Sequence, residues 1–213
     1  DFLGRLGLME PTALELVEAP SGRPLYPARW GELSTMTISY GHGISTSPVH
    51  LAAAYATMVN GGTVVSPTLL RRDPSQGMAP RGARVISEAV SARMRELLRS
   101  VVTEGTASFG DVDGYIVGGK TGSAEMPRTR GGGYYEDRNI NTFAAVFPSD
   151  APEYVLITTL YEPAELSGSE PRRTAGWTTV PVAAELIRRA APLLGLRPAV
   201  EQVAGSPLSS SSN

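Results

Sequence analysis

The stretch DGYIVGGKTGSAE, at positions 113–125, fits two local structures that exclude each other. As a phosphate-binding loop, Gly114-x-x-x-x-Gly119-Lys120-Thr121 follows a buried strand and opens a helix whose backbone amides hold the phosphates. As a carboxylate-binding segment of an acyl-transfer site, Lys120-Thr121-Gly122 itself lies in an extended strand. The local structure of this stretch therefore decides what kind of protein the chain can be.

The residues on either side of the stretch disfavour the phosphate loop. FGDVD at 109–113 is too polar for the central strand that must precede such a loop, and the strand-forming Tyr-Ile-Val at 115–117 falls inside it. Gly122 and Pro127 interrupt the helix that must follow. We therefore predict an extended strand around Lys120 and keep a phosphate-loop nucleotide-binding protein as the weaker alternative.

Lys120 is the only lysine in the chain, since the rest of the 19 basic residues are arginine. Arginine is a planar fork, whereas lysine is a compact point charge that changes protonation state readily. A lysine kept in a chain so biased towards arginine indicates chemistry at position 120 that a guanidinium does not perform. The alternative is that one lysine has survived by chance.

Small and hydroxylated residues surround this lysine in VGGKTGS at 117–123. The Lys120 ammonium and the hydroxyls of Thr121 and Ser123 suit a carboxylate, which accepts several hydrogen bonds. Gly122 leaves room for a ligand backbone to approach, and a backbone amide on such a strand can form half of an oxyanion hole. We expect the small residues on both sides of Lys120 to keep one face of the strand open.

Composition excludes several other classes of protein. With 213 residues, 41% of them hydrophobic, the chain is long enough to bury a core. Its 19 basic and 21 acidic residues form no long run of either sign, so no nucleic-acid or anionic-membrane partner is expected. There is no cysteine, which excludes disulfides, thiolate metal sites and a cysteine nucleophile. The chain has two histidines, His42 in a Gly-x-Gly turn and His50 in an alanine-rich segment, and both are interpreted as structural.

Periodicity and turn residues predict an α+β fold. Residues 1–40 are expected to form a short helix and then an extended connector, and 63–70 a short strand or arm. The polar loop at 73–81, the Gly- and Arg-rich loop at 127–138 and the Ser-rich tail at 198–213 are expected to be mobile or unstructured. The predicted helices are 47–61, 87–105 and 178–194, and the predicted strands are 115–123, 141–147 and 154–160, the last two as an antiparallel hairpin.

The stretch around Lys120 resembles the Lys-Thr-Gly-Thr/Ser box of penicillin-binding proteins and serine β-lactamases. SYGHGISTSPVHLAAAYATMVNGGTVVSPTLL, at 39–70, resembles the segment before this box in class B, division-type or elongation-type transpeptidases, with their Gly-x-Gly turn, Ser-Pro helix start and Asn-Gly-Gly helix end. The hairpin ending in YEP and the final GWTTVPVAAELI helix also agree. The resemblance covers residues 6–194.

This resemblance implies a fold, an activity and a role for each residue of the box. Residues 1–197 would be the C-terminal part of a transpeptidase domain, an antiparallel sheet with flanking helices that is incomplete on its N-terminal side. The full enzyme would be a peptidoglycan-crosslinking D,D-transpeptidase that acts through a serine acyl-enzyme and is inhibited by β-lactams. Lys120, Thr121 and Ser123 would bind the substrate carboxylate, the Ser123 amide would complete the oxyanion hole, and Gly122 would provide clearance.

The nucleophile of this family cannot be found in the chain. It belongs to a Ser-x-x-Lys motif, and Val117 stands three residues before the only lysine. The Ser-x-Asn at 211–213 follows the Lys-Thr-Gly box, whereas the family places it before, so we interpret it as coincidence. We expect the chain to begin downstream of both motifs and to be inactive alone; the alternative is a catalytically empty binding or scaffold module of the same fold.

The resemblance also implies partners and a location. Peptidoglycan stem peptides and β-lactam antibiotics would bind at the Lys-Thr-Gly box, without a metal or a diffusible cofactor. In full length, the protein would contact other cell-wall synthesis or division proteins at the periplasmic face of the inner membrane, anchored by a segment outside this chain. The chain alone is expected to self-associate, because a partial sheet leaves unpaired edges and exposed apolar faces.

Overall fold

The structure is a computed structural model that describes residues 2–12, 14–17, 24–27, 29–71, 73, 75, 82–128, 130–131 and 133–199. Most of the predicted loop at 73–81 and the tail from residue 200 onwards, including the Ser-x-Asn at 211–213, lie outside this set. Within it, no helix is long and apolar enough to cross a membrane.

Three antiparallel strands form the sheet, as predicted. They are β1 (Gly118–Pro127), β2 (Tyr134–Phe147) and β3 (Tyr154–Tyr161), in the order β1-β2-β3. Lys120 pairs with Ala144 and therefore lies inside β1, not at the start of a helix. Because a phosphate-binding loop needs its lysine at a helix N-terminus, the nucleotide-binding alternative is wrong.

Five α-helices accompany the sheet among the described residues. Side-chain caps begin two of them: the Ser47 hydroxyl accepts a hydrogen bond from the His50 amide, and the Ser87 hydroxyl accepts one from the Val90 amide. Both caps stand where the sequence predicts a helix start, and the helix predicted near 178–194 is also present. The helices are α1 (Phe2–Arg5), α2 (Glu32–Ser39), α3 (Pro48–Val59), α4 (Glu88–Thr103) and α5 (Thr179–Leu193).

The sheet lies between two helical layers. On one face, α5 packs its buried Val180, Ala183 and Ile187 against Phe143 of β2 and Val117 just before β1. On the other face, α3 and α4 contribute Val59 and Leu98, which pack with Val146 of β2. Because successive side chains of a strand point to opposite faces, β1 presents alternate residues to α5 and to the α3–α4 layer.

Residues 1–40 differ from the predicted short helix and extended connector. The short helix is present as α1, but a second helix, α2, follows Gly31. Gly31 is the last of the Pro and Gly residues in the preceding segment. The eight residues after it form the two turns of α2. Trp30 Nε1 donates to Thr35 Oγ1 at 3.0 Å, and Ile38 is buried. This tertiary burial of one residue is not visible as a periodic apolar pattern.

The loop predicted at 127–138 is shorter than expected, because both neighbouring strands extend into it. Glu125 pairs with Asn139 and Pro127 with Tyr134, with a register shift between the two pairs. The Arg128 amide donates to Gly133 O at 2.9 Å and closes the turn. Cross-strand pairing thus overrides the weak strand propensity of the Gly- and Arg-rich segment. At the other end, β1 begins at 118 rather than 115, and 63–70 is an extended arm with one isolated bridge, at Thr63.

Candidate functional site

The predicted site residues lie together on β1, the edge strand of the sheet. Among the described residues β1 pairs with β2 on one side only, and Lys120, Gly122 and Ser123 are exposed. Lys120, Thr121, Gly122 and Ser123 follow one another in the middle of the strand. An extended ligand can therefore lie along this edge, as the sequence predicts for the Lys-Thr-Gly segment.

Strand alternation divides these residues between the two faces of the sheet. Thr121 and Ser123 line a cavity of about 450 Å³ on the α5 side, whose other walls are the segments 105–109 and 174–177. Lys120 lines a groove of about 510 Å³ on the opposite side, between α1, α3 and α4. The ammonium and the two hydroxyls thus flank the same open strand edge from opposite faces.

The Ser123 hydroxyl is oriented by its neighbour. The Ala175 amide donates a hydrogen bond to Ser123 Oγ at 2.9 Å. A hydroxyl has a single hydrogen to donate, and no described residue accepts it from Ser123. The bond from Ala175 therefore leaves the Ser123 O–H to act as a donor in the cavity, which is the role that an anionic ligand requires.

Thr121 is linked to the segment 105–109 in a similar way. Its Oγ1 lies 2.7 Å from Thr106 Oγ1, and either hydroxyl can be the donor. Gly176 completes the contact between the two cavity walls, because a Cβ at this position would lie 2.5 Å from Thr106 O. Both walls of the cavity are thus attached to the Lys-Thr-Gly strand through side-chain hydroxyls.

Lys120 lies at the rim of an apolar groove. Its exposed ammonium donates to the carbonyl of Thr121 at 2.8 Å, and none of the ion pairs among the described residues includes it. Burial raises the pKa of the Tyr55 hydroxyl, which lines the groove and stays neutral. The other apolar residues of this groove include Phe2, Leu6, Leu8, Leu51, Met58, Met94, Leu97 and Val101.

The glycines of the strand do not all keep a face open, which corrects the prediction for the small residues around Lys120. A Cβ on Gly119 would lie 2.6 Å from both Ala144 O and the Phe143 ring, and one on Gly118 would lie 2.9 Å from Ser149 Cβ. These two glycines are required by packing. Gly122 is different: its nearest neighbour would be Thr142 O at 3.9 Å, so this position is open.

Several residues of the cavity were missed by the sequence analysis. Phe109 and Trp177 pack with ring centroids 5.0 Å apart, and the Arg172 guanidinium lies 4.0 Å from the Trp177 ring centroid. Thr106 and Ala175 supply the hydrogen bonds described above. The only signal in the sequence was the resemblance of the GWTTV segment to the family, which assigned no role to any of its residues.

The histidines take no part in the cavity. Both ring nitrogens of the buried His50 are engaged, one 2.7 Å from Ser47 Oγ and the other 2.7 Å from Glu10 O. The His42 ring lies in contact with Tyr134 of β2, with ring centroids 5.2 Å apart. His50 joins the start of α3 to the N-terminal segment, which agrees with its interpretation as structural.

Comparison with known proteins gives a consistent result. A family model described as the penicillin-binding protein transpeptidase domain matches residues 1–187. A protein of Caulobacter vibrioides described as probable peptidoglycan D,D-transpeptidase FtsI is 38% identical over 209 residues, which are 95% of this chain and 35% of that protein. The chain thus spans about a third of the length of this relative.

Solved structures agree with the sequence matches. The apo transpeptidase domain of Burkholderia pseudomallei penicillin-binding protein 3 aligns with a TM-score of 0.79 and 28% identity over 93% of this chain and 58% of that one. Penicillin-binding protein 3 of Mycobacterium tuberculosis, complexed with ampicillin, aligns with a TM-score of 0.78 and 26% identity over 98% of this chain and 48% of that one. The predicted resemblance is confirmed, and the chain belongs to the penicillin-binding protein transpeptidase family.

Proposed function

We propose that this chain is the carboxylate-binding part of a peptidoglycan D,D-transpeptidase. The observation that carries the proposal is the edge strand β1, where an open Gly122 stands between the hydroxyls of Thr121 and Ser123 and beside the Lys120 ammonium. The Ser123 hydroxyl, oriented by the Ala175 amide, and the Thr121 hydroxyl bind the carboxylate from the α5 side. Lys120 supplies a positive charge from the other side of the strand.

The descriptions of two relatives support the choice of ligands. The Caulobacter protein is described as a D,D-transpeptidase, and the Mycobacterium protein was solved with ampicillin bound. We infer that the site binds the terminal carboxylate of a peptidoglycan stem peptide and, in its place, the carboxylate of a β-lactam. The Ser123 amide would stabilise the oxyanion that develops when a serine attacks the neighbouring carbonyl.

The attacking serine must come from outside this chain. The sequence has no Ser-x-x-Lys, and the chain covers about a third of the Caulobacter relative. We infer that residues 1–197 are the C-terminal portion of the transpeptidase domain and that an upstream apolar segment with the nucleophile packs in the groove beside Lys120. The chain alone is therefore expected to be inactive.

The location and further partners are inferred in the same way. Peptidoglycan lies outside the cytoplasmic membrane, so we expect this domain at the periplasmic face of that membrane, held by an anchor that is not part of the chain. Other cell-wall synthesis or division proteins are expected to bind the full-length protein. Protease protection in intact spheroplasts tests the location, because a domain on the outer face is digested without lysis.

Intact-mass measurement of the natural polypeptide, before and after exposure to ampicillin, tests the proposed activity. We expect a mass well above the 22.5 kDa of this chain and a gain of one ampicillin. Lys120→Ala and Ser123→Ala should each slow this gain about tenfold or more, because each removes a hydrogen bond to a charged group. Arg93→Ala, which removes an exposed cation paired with Glu96 on α4, is the matched control.

Two results would contradict the proposal. A natural polypeptide of about 22.5 kDa that gains no mass would rule out the enzyme and leave a binding or scaffold module of the same fold. Acylation that is equally fast in wild type, Lys120→Ala and Ser123→Ala would rule out the assigned carboxylate site.

A further inference from the structure

Asn141 is a buried polar residue next to the cavity that the proposed function does not use. It lies on β2 directly opposite Ser123 of β1, with no exposed surface. Its Nδ2 donates to the carbonyl of Arg173 at 2.5 Å and to Thr178 Oγ1 at 2.9 Å. Asn141 thus binds both ends of the turn 173–178, whose middle residues form a wall of the cavity.

Further hydrogen bonds hold this turn together and connect α5, which follows it, to Asn141. Thr178 Oγ1 donates to Thr174 O at 3.0 Å, and Thr179 Oγ1 donates to the backbone carbonyl of Asn141 at 3.3 Å. The turn then presents the Ala175 amide to Ser123 Oγ. A continuous path of bonds therefore runs from Asn141 through the turn to the hydroxyl that is proposed to bind the carboxylate.

Packing alone does not account for an amide at this position. The neighbouring residue on the same face of β2, Phe143, is fully buried against α5, and an apolar side chain at 141 would extend that core. Instead, Asn141 buries an amide whose Oδ1 has no hydrogen-bond partner among the described residues. Burying an unpaired polar atom costs free energy, so the two bonds from Nδ2 have to offset that cost.

We propose that Asn141 is a positioning residue for the carboxylate site. By fixing Arg173 O and Thr178 Oγ1, it holds the turn 173–178 where the Ala175 amide donates to Ser123 Oγ and directs the Ser123 hydrogen into the cavity. Asn141 does not touch the ligand and acts through Ser123. This inference rests on the proposed function of Ser123.

A double-mutant cycle in the natural polypeptide tests the inference, with the rate of acylation by ampicillin at low drug concentration as the readout. Asn141→Ala alone should slow acylation about five- to tenfold, because the Ser123 hydroxyl loses its fixed orientation. In a Ser123→Ala background, Asn141→Ala should change the rate less than about twofold. Effects that multiply in the double variant would overturn the inference, since they indicate general destabilisation.

Matched variants separate positioning from folding. Thr57→Val removes a buried hydroxyl of α3 on the opposite side of the sheet and should lower the melting temperature without a comparable loss of acylation. If Asn141→Ala does not fold, Thr178→Val, which removes the hydroxyl bonded to Asn141, takes its place in the cycle with the same expectation.

The outcomes also distinguish this inference from the proposed function. A slow Ser123→Ala variant with normal Asn141→Ala and Thr178→Val variants would overturn the positioning role and keep the carboxylate site. A Ser123→Ala variant as fast as wild type would overturn both.

Discussion

At the scale of single residues, the alternation of side chains along β1 places neighbours in the sequence on opposite faces of the sheet. Thr121 and Ser123 point to the cavity under α5, while Lys120 lies on the side of α3 and α4. Each glycine is likewise set by its own surroundings: Gly119 is in close contact with Phe143, whereas Gly122 faces open space. The same residue type therefore has different surroundings at two positions that are only three residues apart.

This difference predicts that the same substitution has different effects on stability at the two positions. Gly119→Ala places a methyl group 2.6 Å from the Phe143 ring and Ala144 O, and it should lower the free energy of unfolding by about 1–3 kcal/mol. Gly122→Ala has its nearest contact at 3.9 Å and should change stability by less than about 1 kcal/mol. Urea unfolding of the two variants measures both values.

The same pair of variants tests the clearance assigned to Gly122. Gly122→Ala should slow acylation by ampicillin although its stability is nearly unchanged, because the methyl group occupies space that the ligand backbone needs. A Gly119→Ala variant as stable as wild type would show that the contacts around Gly119 are not tight, and a Gly122→Ala variant acylated as fast as wild type would contradict the assigned clearance.

At the scale of helices and strands, α5 couples the core to the cavity. Its buried face, with Val180 and Ile187, covers β2 and β3, and its first residues continue from the turn that carries Ala175. Tyr154 Oη donates to Leu194 O at 2.9 Å at the other end of the helix. The position of α5 on the sheet therefore determines where the Ala175 amide meets Ser123.

Two neighbouring residues of α5 test how the helix is held. Ile187→Ala leaves a cavity at a fully buried position and should cost about 2–5 kcal/mol of unfolding free energy. Leu186→Ala, at a position where 44% of the residue is exposed, should cost less than about 1 kcal/mol. Denaturant unfolding monitored by circular dichroism gives both values, and similar costs would mean that α5 does not pack as described.

At the scale of the whole molecule, the chain presents apolar surface, which the proposed upstream segment would cover. The groove beside Lys120 is apolar, and β1 is an unpaired edge among the described strands. Such a surface favours contact between chains when it is left uncovered. This is the physical basis of the prediction that the chain self-associates when it is produced alone.

Two substitutions at similarly exposed positions test where that association occurs. Leu97, 46% exposed, lines the groove on α4, whereas Val182, 41% exposed, lies on α5 across the sheet. Light scattering of the chain alone should show a mass that rises with concentration. Leu97→Glu should reduce this rise and Val182→Glu should not, because only the first places a charge in the groove. A strictly monomeric wild-type chain would contradict the prediction.

Much of the fold was readable from local signals. Ser47 and Ser87 are helix caps whose function depends on the next three residues only, so the starts of α3 and α4 were predictable. Residues 32–39 have only a weak apolar pattern, so α2 was not predicted. The Gly- and Arg-rich composition of 127–138 likewise did not indicate that β1 and β2 extend into this segment. Those elements depend on burial and on cross-strand pairing, which a local pattern does not report.

The sequence by itself determined the family and the strand that carries Lys120, because a Lys-Thr-Gly box, helix caps and turn residues act over a few positions. Only the tertiary structure decided which face of β1 each side chain occupies. It alone joined Asn141, Ala175 and Ser123, which are far apart along the chain. Contacts between distant residues depend on how the layers pack, and no local spacing encodes that arrangement.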